Sequence, residues 1–256
     1  MHPFASFIVH QGPRLQVYWF LCLFLLCWNL ENAVGFLASP RKWKHLSVNL
    51  PFVVTNLPGQ LLLGFFFARV MHWTGNHHFG LVRGEYADRH PLLSFLAVFL
   101  LLDLGEYGYH VIMHKVKRLW MFHMVHHSDP LVDITTTLRE HPGENMIRLT
   151  FTLLWVFISG AALWMLLLRQ LVQAFSTLVA HINYRLPHRT DRVLGWIFIT
   201  PNLHQVHHHY KQPYTDCNYG DVLSIWDRLF GTFRTLPAEE LVFGVDACAD
   251  QVAVDD

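Results

Sequence analysis

The chain has 256 residues with 19 acidic and 19 basic side chains, so its formal net charge is zero, and no basic block is large enough for a nucleic-acid surface. Hydrophobic residues make up 52%, charged residues only 15%, and the mean hydropathy is +0.25, which is too apolar for an ordinary soluble domain. Cys22, Cys27, Cys217 and Cys248 form no C-x-x-C pair, which leaves them as small buried hydrophobes rather than a disulfide framework or a thiolate site.

A membrane-crossing helix needs about 20 mostly apolar residues. The sequence offers such runs at Val17–Ala38, Leu50–Met71, Leu92–Met113 and from Met146 to Ile182. Asn29, Glu31 and Asn32 interrupt the first run. Arg14 lies far from Met1 and no small-x-small cleavage site follows, so this run reads as a retained helix rather than a signal peptide. The last run is too long for one crossing and carries Gly160 near its middle, so it reads as two helices packed as a hairpin. Arg41, Lys42 and Lys44 follow the first run, and Lys115, Lys117 and Arg118 follow the third. The positive-inside rule places both loops in the cytoplasm and the loop from His72 to Pro91 outside. The expected fold is an all-α integral membrane protein of about four to five transmembrane or hairpin helices. It is a single membrane-embedded domain over residues 1–256, with its catalytic region at 92–233. A cytoplasmic helical cap, formed by His114–Asn145 and Asn183–Phe233, holds the histidine-rich site. Residues 238–256 read as a loosely held acidic tail.

The third span carries a stripe. Asp103, Tyr107, His110 and His114 are spaced by four, three and four residues, which places them on one helical face. An acid within a membrane segment marks function more often than packing, and Asp103 is positioned to orient a ligand ring through the nitrogen that does not face the metal. Two H-x-x-H-H clusters follow, His123, His126 and His127, then His204, His207 and His208. Imidazole is the commonest protein metal ligand, and these eight histidines exceed the four ligands of one ordinary zinc site. The spacing therefore predicts a two-metal centre. Nitrogen ligation without cysteine leaves iron, zinc and copper open, and the HExxH zinc-protease pattern is absent.

The segments DLGEYGYHVIMH, FHMVHHSD, TTTLREHPGE, AHINYRLP, TPNLHQVHHHY and DCNYGDVLSIWDRLFGTF resemble the fatty acid hydroxylase and sterol desaturase superfamily of membrane di-iron enzymes. The resemblance covers His110 to Phe233, and the closing NYG…SIWDRLFGTF segment is its most specific part. It implies that His110, His114, His123, His126, His127, His204, His207 and His208 bind two iron ions, with His181 at a further ligand position. It also places His141 in an R-x-H-P-x-E segment, as a ligand, an outer hydrogen-bond donor or a helix cap. Asp103, Tyr107, His141, Asp216 and Asn218 are the candidate outer partners of the ligand rings. Tyr219 and Asp227 read as organisers of the cap. His209 turns away from the shared face and His77 and His78 lie on the opposite side. His2, His10, His45, His72, His90 and His188 read as surface or interfacial residues.

Attack on an unactivated C–H bond requires activated dioxygen, which a redox metal supplies and a side chain does not. The expected activity is a membrane-bound di-iron oxygenase that uses O2 and external electrons to hydroxylate a lipid taken from the bilayer. With no flavin, nicotinamide or haem-domain fingerprint in the chain, a separate electron donor is expected: a cytochrome b5-like protein, a ferredoxin or a reductase. A lipid or sterol desaturase is the alternative within the superfamily. A zinc-dependent membrane hydrolase, or a metal transporter with histidines at opposite ends of a pore, are alternatives of another class. The histidine clusters are expected on the cytoplasmic side, with a bacterial inner membrane as the preferred location.

Overall fold

The computed structural model describes residues 3–34, 39–83 and 89–245. Cys248 and most of the acidic tail lie outside the described residues, as do parts of the loops after the first and second helices. Among the described residues there is no strand, only the isolated bridges Phe198–Leu223 and His209–Phe243. The helices are α1 (Pro3–Ala33), α2 (Ser39–Asn76), α3 (Pro91–Lys115), α4 (Lys117–His127), α5 (Pro142–Ser159), α6 (Leu163–His181), α7 (His188–Leu194), α8 (Pro201–His207) and α9 (Ile225–Leu229). Short 3-10 turns lie at Ile134–Leu138 and Ala238–Glu240.

Among the described residues, three helices are long and apolar enough to cross a membrane: α2 over Arg41–Asn76, α3, and α6. The protein is therefore an all-helical membrane protein. Its outer face bears the expected apolar belt, with Leu21, Leu25, Val54, Leu61 and Phe65 exposed on α1 and α2. Polar Gln16, Asn29, Glu31 and Asn32 lower the apolarity of α1. Its Glu31 is fully buried, paired with Lys42 at 2.9 Å, and accepts hydrogen bonds from the Ile134 and Asn183 backbones. The acid that interrupts the apolar run thus ties α1 to the cap. Lys42, read as a loop cation, is buried in the same pair near the start of α2.

Local chemistry sets the boundaries. A single extended residue, Val116 (φ −96°, ψ 105°), ends α3 and turns α4 back over it, which brings His123–His127 against His110 and His114. His141 caps the start of α5 by accepting from the Gly143 backbone, and Pro142 follows. The α5–α6 turn falls at Gly160, whose φ of +68° is left-handed and whose Cβ position lies 2.5 Å from the Phe79 carbonyl. The two arms are not a packed hairpin. Helix α5 packs on α2 and α3, whereas α6 packs on α1. Gln16 and Trp19 of α1 donate to the Leu167 and Leu171 carbonyls of α6. The arms therefore diverge from the turn, and the space between them becomes a chamber. A core of Val98, Leu102, Val156, Ala161, Met165 and Leu166 fills the turn end. The polar residues gather at the other end.

The cap closes over that end. Residues before 246 are tied down rather than loose: Tyr210 donates to the Val242 carbonyl, and Leu236 and Val245 are buried.

Candidate metal centre

All nine sequence-predicted histidines meet at the end of the bundle where α3 ends, α5 begins and α6 returns. Their ring nitrogens fall into two groups, within each of which the candidate ligand atoms lie within 4.8 Å of one another. The first group is His110, His114, His123, His127 and His207; the second is His126, His181, His204 and His208. Each H-x-x-H-H cluster is split between the groups. Adjacent residues on a helix point about 100° apart, so His126 and His127 face different sides of α4. His127 and His208 stack at 4.6 Å, which joins the groups.

The hydrogen bonds fix the roles of the ring nitrogens. His110 Nδ1 donates to the Tyr219 carbonyl at 2.9 Å, His123 Nδ1 to Glu144 at 2.6 Å, and His207 Nδ1 to the Cys217 carbonyl at 2.7 Å. In the second group, His126 Nδ1 donates to the Arg139 carbonyl at 3.2 Å and His181 Nδ1 to the Thr177 carbonyl at 2.8 Å. In a neutral imidazole, a hydrogen on Nδ1 leaves a lone pair on Nε2. The five Nε2 atoms are thus acceptors, and they converge: His110 and His123 at 3.0 Å, His126 and His181 at 3.1 Å. Lone pairs held this close repel unless a cation lies beside them. Ligands about 2.0–2.1 Å from one ion stand about 3 Å apart when at right angles, so the spacing fits metal ligation. His114 Nε2, His207 Nε2 and both nitrogens of His127 are buried without any protein partner. The residues present therefore fit a two-metal centre.

Charge agrees with geometry. Burial first, then the neighbouring imidazoles, holds His126, His127, His204 and His208 well below the ordinary histidine range. Burial and His123 depress His207 to about 3. These rings are neutral at pH 7, the form that binds metal.

The predicted outer partners divide. Asp216 lies 3.3 Å from His114 Nδ1 and pairs with Lys115. Asp103 touches no histidine; it accepts from the Val222 and Leu223 backbones and from Trp226 Nε1, anchoring the closing segment on α3. Tyr107 bonds Thr232 and stacks on Phe230. Asn218, at φ +49°, bridges the Leu203 and Arg234 backbones. His141 is a helix cap. His209 belongs to neither group and accepts from the Val242 backbone. His77 lies beside Trp73, near the Gly160 turn at the far end of the bundle.

Two features escape the sequence reading. Glu144, in the same R-E-H-P-G-E segment as His141, is the carboxylate that orients a candidate ligand ring. His45, read as surface or interfacial, is buried and bonded through both ring nitrogens, to Asp129 at 2.8 Å and Asp133 at 3.0 Å. It locks α2 to the segment that follows His127.

A cavity of about 70 Å³ lies against His110, His123, His126, His181 and His204. It shares Glu106, Thr137, Glu140, Arg148 and Thr177 with the chamber between the splayed arms, which measures about 620 Å³, within the range of small-molecule sites. Helices α1 and α2 pack on different partners, and both line the chamber, through Trp19 and Gln60 among others.

Comparison with known proteins agrees with this arrangement. Residues 95–232 match the family model for fatty acid hydroxylase. The chain is 33% identical to an alkylglycerol monooxygenase of Danio rerio over 163 residues, 60% of this chain and 32% of the relative. It is 33% identical to an ornithine lipid hydroxylase of Rhizobium tropici over 59% of this chain and 45% of that protein. It is 28% identical to a cholesterol 25-hydroxylase of Rattus norvegicus over 75% and 63%. The chain thus spans about a quarter to under two thirds of the curated relatives it matches. No solved structure matches it. With a family match across the segment that carries all nine histidines, the chain belongs to the fatty acid hydroxylase family.

Proposed function

We propose that this protein is a membrane-bound di-iron oxygenase that hydroxylates a lipid drawn from the bilayer. The observation that carries the reading is the set of Nε2 lone pairs, each oriented by a donated Nδ1–H, converging in two adjacent groups. His110, His114, His123, His127 and His207 would hold one iron, and His126, His181, His204 and His208 the other. When bound, the pair supplies the redox chemistry that activates dioxygen, which no side chain here supplies. Overall, one oxygen atom enters a C–H bond and the other leaves as water, with two electrons and two protons from outside the chain. A separate donor, such as a cytochrome b5-like protein, a ferredoxin or a reductase, fits that requirement. The relatives' printed substrates, an alkylglycerol, an ornithine lipid and cholesterol, are all lipids.

The chain's own residues do the rest. Backbone carbonyls and Glu144 fix the rings before metal arrives, so little reorganisation remains. A lipid would enter laterally between α1 and α2, whose residues line the chamber. Both histidine groups lie at one end of the bundle, whereas a transporter needs ligands at both ends of a pore. With Lys42 neutralised by Glu31, the basic residues Arg41, Lys44, Lys115, Lys117 and Arg118 near that end support a cytoplasmic placement; a bacterial inner membrane fits the ornithine lipid relative.

The test is anaerobic purification with metal quantification, followed by incubation of membranes with ¹⁸O-labelled dioxygen. The expected result is iron at about two per chain, label in a lipid product, and loss of both in His126→Ala and His207→Ala. Zinc in native protein with oxygen-independent turnover would overturn the proposal; loss of hydrogen without added label would replace hydroxylation by desaturation.

A further inference from the structure

The chamber changes character along its length. At the Gly160 end its walls are Phe67, Met71, Leu163, Leu166 and Leu167. Toward the histidines they become Arg169, Gln173, Glu106, Thr152 and Arg148. Charged groups inside a bilayer are costly and persist where they serve a site.

Arg169 is the centre of this polar end. Its side chain is 3% exposed, and its Nη1 donates to Gln173 at 3.0 Å. Its Nε and Nη2 have no hydrogen-bond partner. Nη2 stands 3.7 Å from Glu106 and 3.9 Å from Asp221, too far for direct hydrogen bonds. Spacing of this kind suits an inserted group that accepts from the guanidinium and donates to a carboxylate. Glu106 is one helical turn before His110, and Glu106 and Asp221 both line the cavity at the histidines. The charge balance there argues against an anion, and the need to accept from the Arg169 guanidinium rules out an ammonium. Arg148 and Arg169 already face Glu106, Glu140 and Asp221, so no surplus positive charge waits for a carboxylate or phosphate. A neutral group with both donor and acceptor capacity satisfies the site; a hydroxyl does both with one atom.

We propose that the chamber takes a lipid with its tail toward Gly160 and a neutral, hydroxyl-bearing head among Arg169, Glu106 and Asp221, so that oxidation falls within a few bonds of the head. The inference rests on the lipid-oxygenase reading and adds orientation, head chemistry and the position of attack.

Photolabelling of the iron-loaded protein in lipid nanodiscs, without oxygen, tests it. The probes are long-chain alkyl diols with a diazirine beside the head or at the methyl end, the matching carboxylates, and a headless alkyl diazirine. The head-proximal diol is expected to mark peptides containing Arg148–Thr152 and Gln173–Thr177, and the methyl-end diol those containing Phe67–Met71 and Leu163–Leu167. The carboxylate should label more weakly. Arg169→Gln should reduce diol labelling about tenfold, the worth of one charged hydrogen bond, and leave the headless probe unchanged, which shows that the chamber is still folded. Reversed labelling, stronger carboxylate labelling, or equal diol labelling in Arg169→Gln overturns the inference, as does absence of chamber labelling. Reversed labelling with an oxygenated product on adding air and reductant leaves the oxygenase reading intact. The expected labelling with no product under the same conditions sinks that reading alone.

Discussion

Glu144→Gln separates an oriented ligand from a merely buried histidine. Glu144 is 1% exposed, and its Oε1 accepts from His123 Nδ1 at 2.6 Å. The amide keeps the shape and still presents a carbonyl oxygen, so the His123 ring is not released. What disappears is the charge. A hydrogen bond to a charged group contributes about 1.5–3 kcal/mol and a neutral one about 1 kcal/mol. The difference, about 1.4 kcal/mol, corresponds to about tenfold in an equilibrium constant. It falls on His123 as a donor to metal, because a carboxylate partner raises the basicity of the opposite ring nitrogen. Glu144→Gln is therefore expected to weaken metal at the His110 group about tenfold, and Glu144→Ala about a hundredfold. The His126 group, whose rings lean on the Arg139 and Thr177 carbonyls, should keep its affinity. Competition with a chromogenic chelator after anaerobic iron loading resolves the two sites. Equal weakening of both, or no change at either, would refute the assignment of Glu144 to one group.

Asp103→Asn tests whether that acid acts on the cap rather than on a ligand. Two of its three donors are backbone N–H groups of the closing segment, so the loss is expected as about 1–3 kcal/mol of stability, with unchanged iron per folded molecule by thermal unfolding and metal assay. His45→Ala should cost more, about 3–5 kcal/mol, because Asp129 and Asp133 then stay buried without their shared partner; a destabilisation under 1 kcal/mol would show that water replaces the ring. Acid should destabilise the metal-free protein. The folded-state pKa of His207, about 3, lies below the unfolded value near 6.5. The stability it contributes is present above pH about 6.5 and is lost as pH falls toward 3, at up to about 1.4 kcal/mol per pH unit per histidine. Unfolding of the metal-free protein followed from pH 7 to 4 should show that loss, and stability unchanged at pH 4 would contradict it.

The histidines that the fold brings together were legible in the sequence because metal chemistry leaves so few residue types to choose from, and helical spacing repeats them. The turn at Gly160 was legible for a related reason, since a left-handed position inside an apolar run favours glycine. The outer partners were harder. Four of the rings donate to backbone carbonyls, at Tyr219, Cys217, Arg139 and Thr177, that any residue type could provide, so no side-chain pattern announces them. Asp103 sits on the ligand face of α3 yet bonds the cap, because helical periodicity gives a direction and not the identity of what lies there. His45 was hidden for the opposite reason. Its partners, Asp129 and Asp133, are more than eighty residues away, and only the fold pairs them. The splaying of α5 from α6 was likewise invisible: a turn between two apolar helices says nothing about which other helices each arm prefers.

That splaying explains how one short chain provides both a cluster of candidate metal ligands and a chamber beside it. Two helices packed along their whole length would leave no space between them, and the histidines would close directly on a dry core. Here α6 is drawn to α1 and α5 to α2 and α3. Gly12 of α1 permits part of this approach, because a Cβ there would stand 2.8 Å from Leu167. At the turn the arms meet in apolar packing; farther along, the gap between them must be lined by side chains from both. Near the histidines Thr152 of α5 donates to Glu106 of α3, while Gln173 and Ser176 of α6 donate to the Asp221 side chain and carbonyl of the cap. The polar end of the chamber and the anchoring of the cap thus share Gln173. A substitution that fills the gap near Gln173 would act on both, since that chamber-lining residue also holds Asp221, in the segment whose Tyr219 carbonyl orients His110.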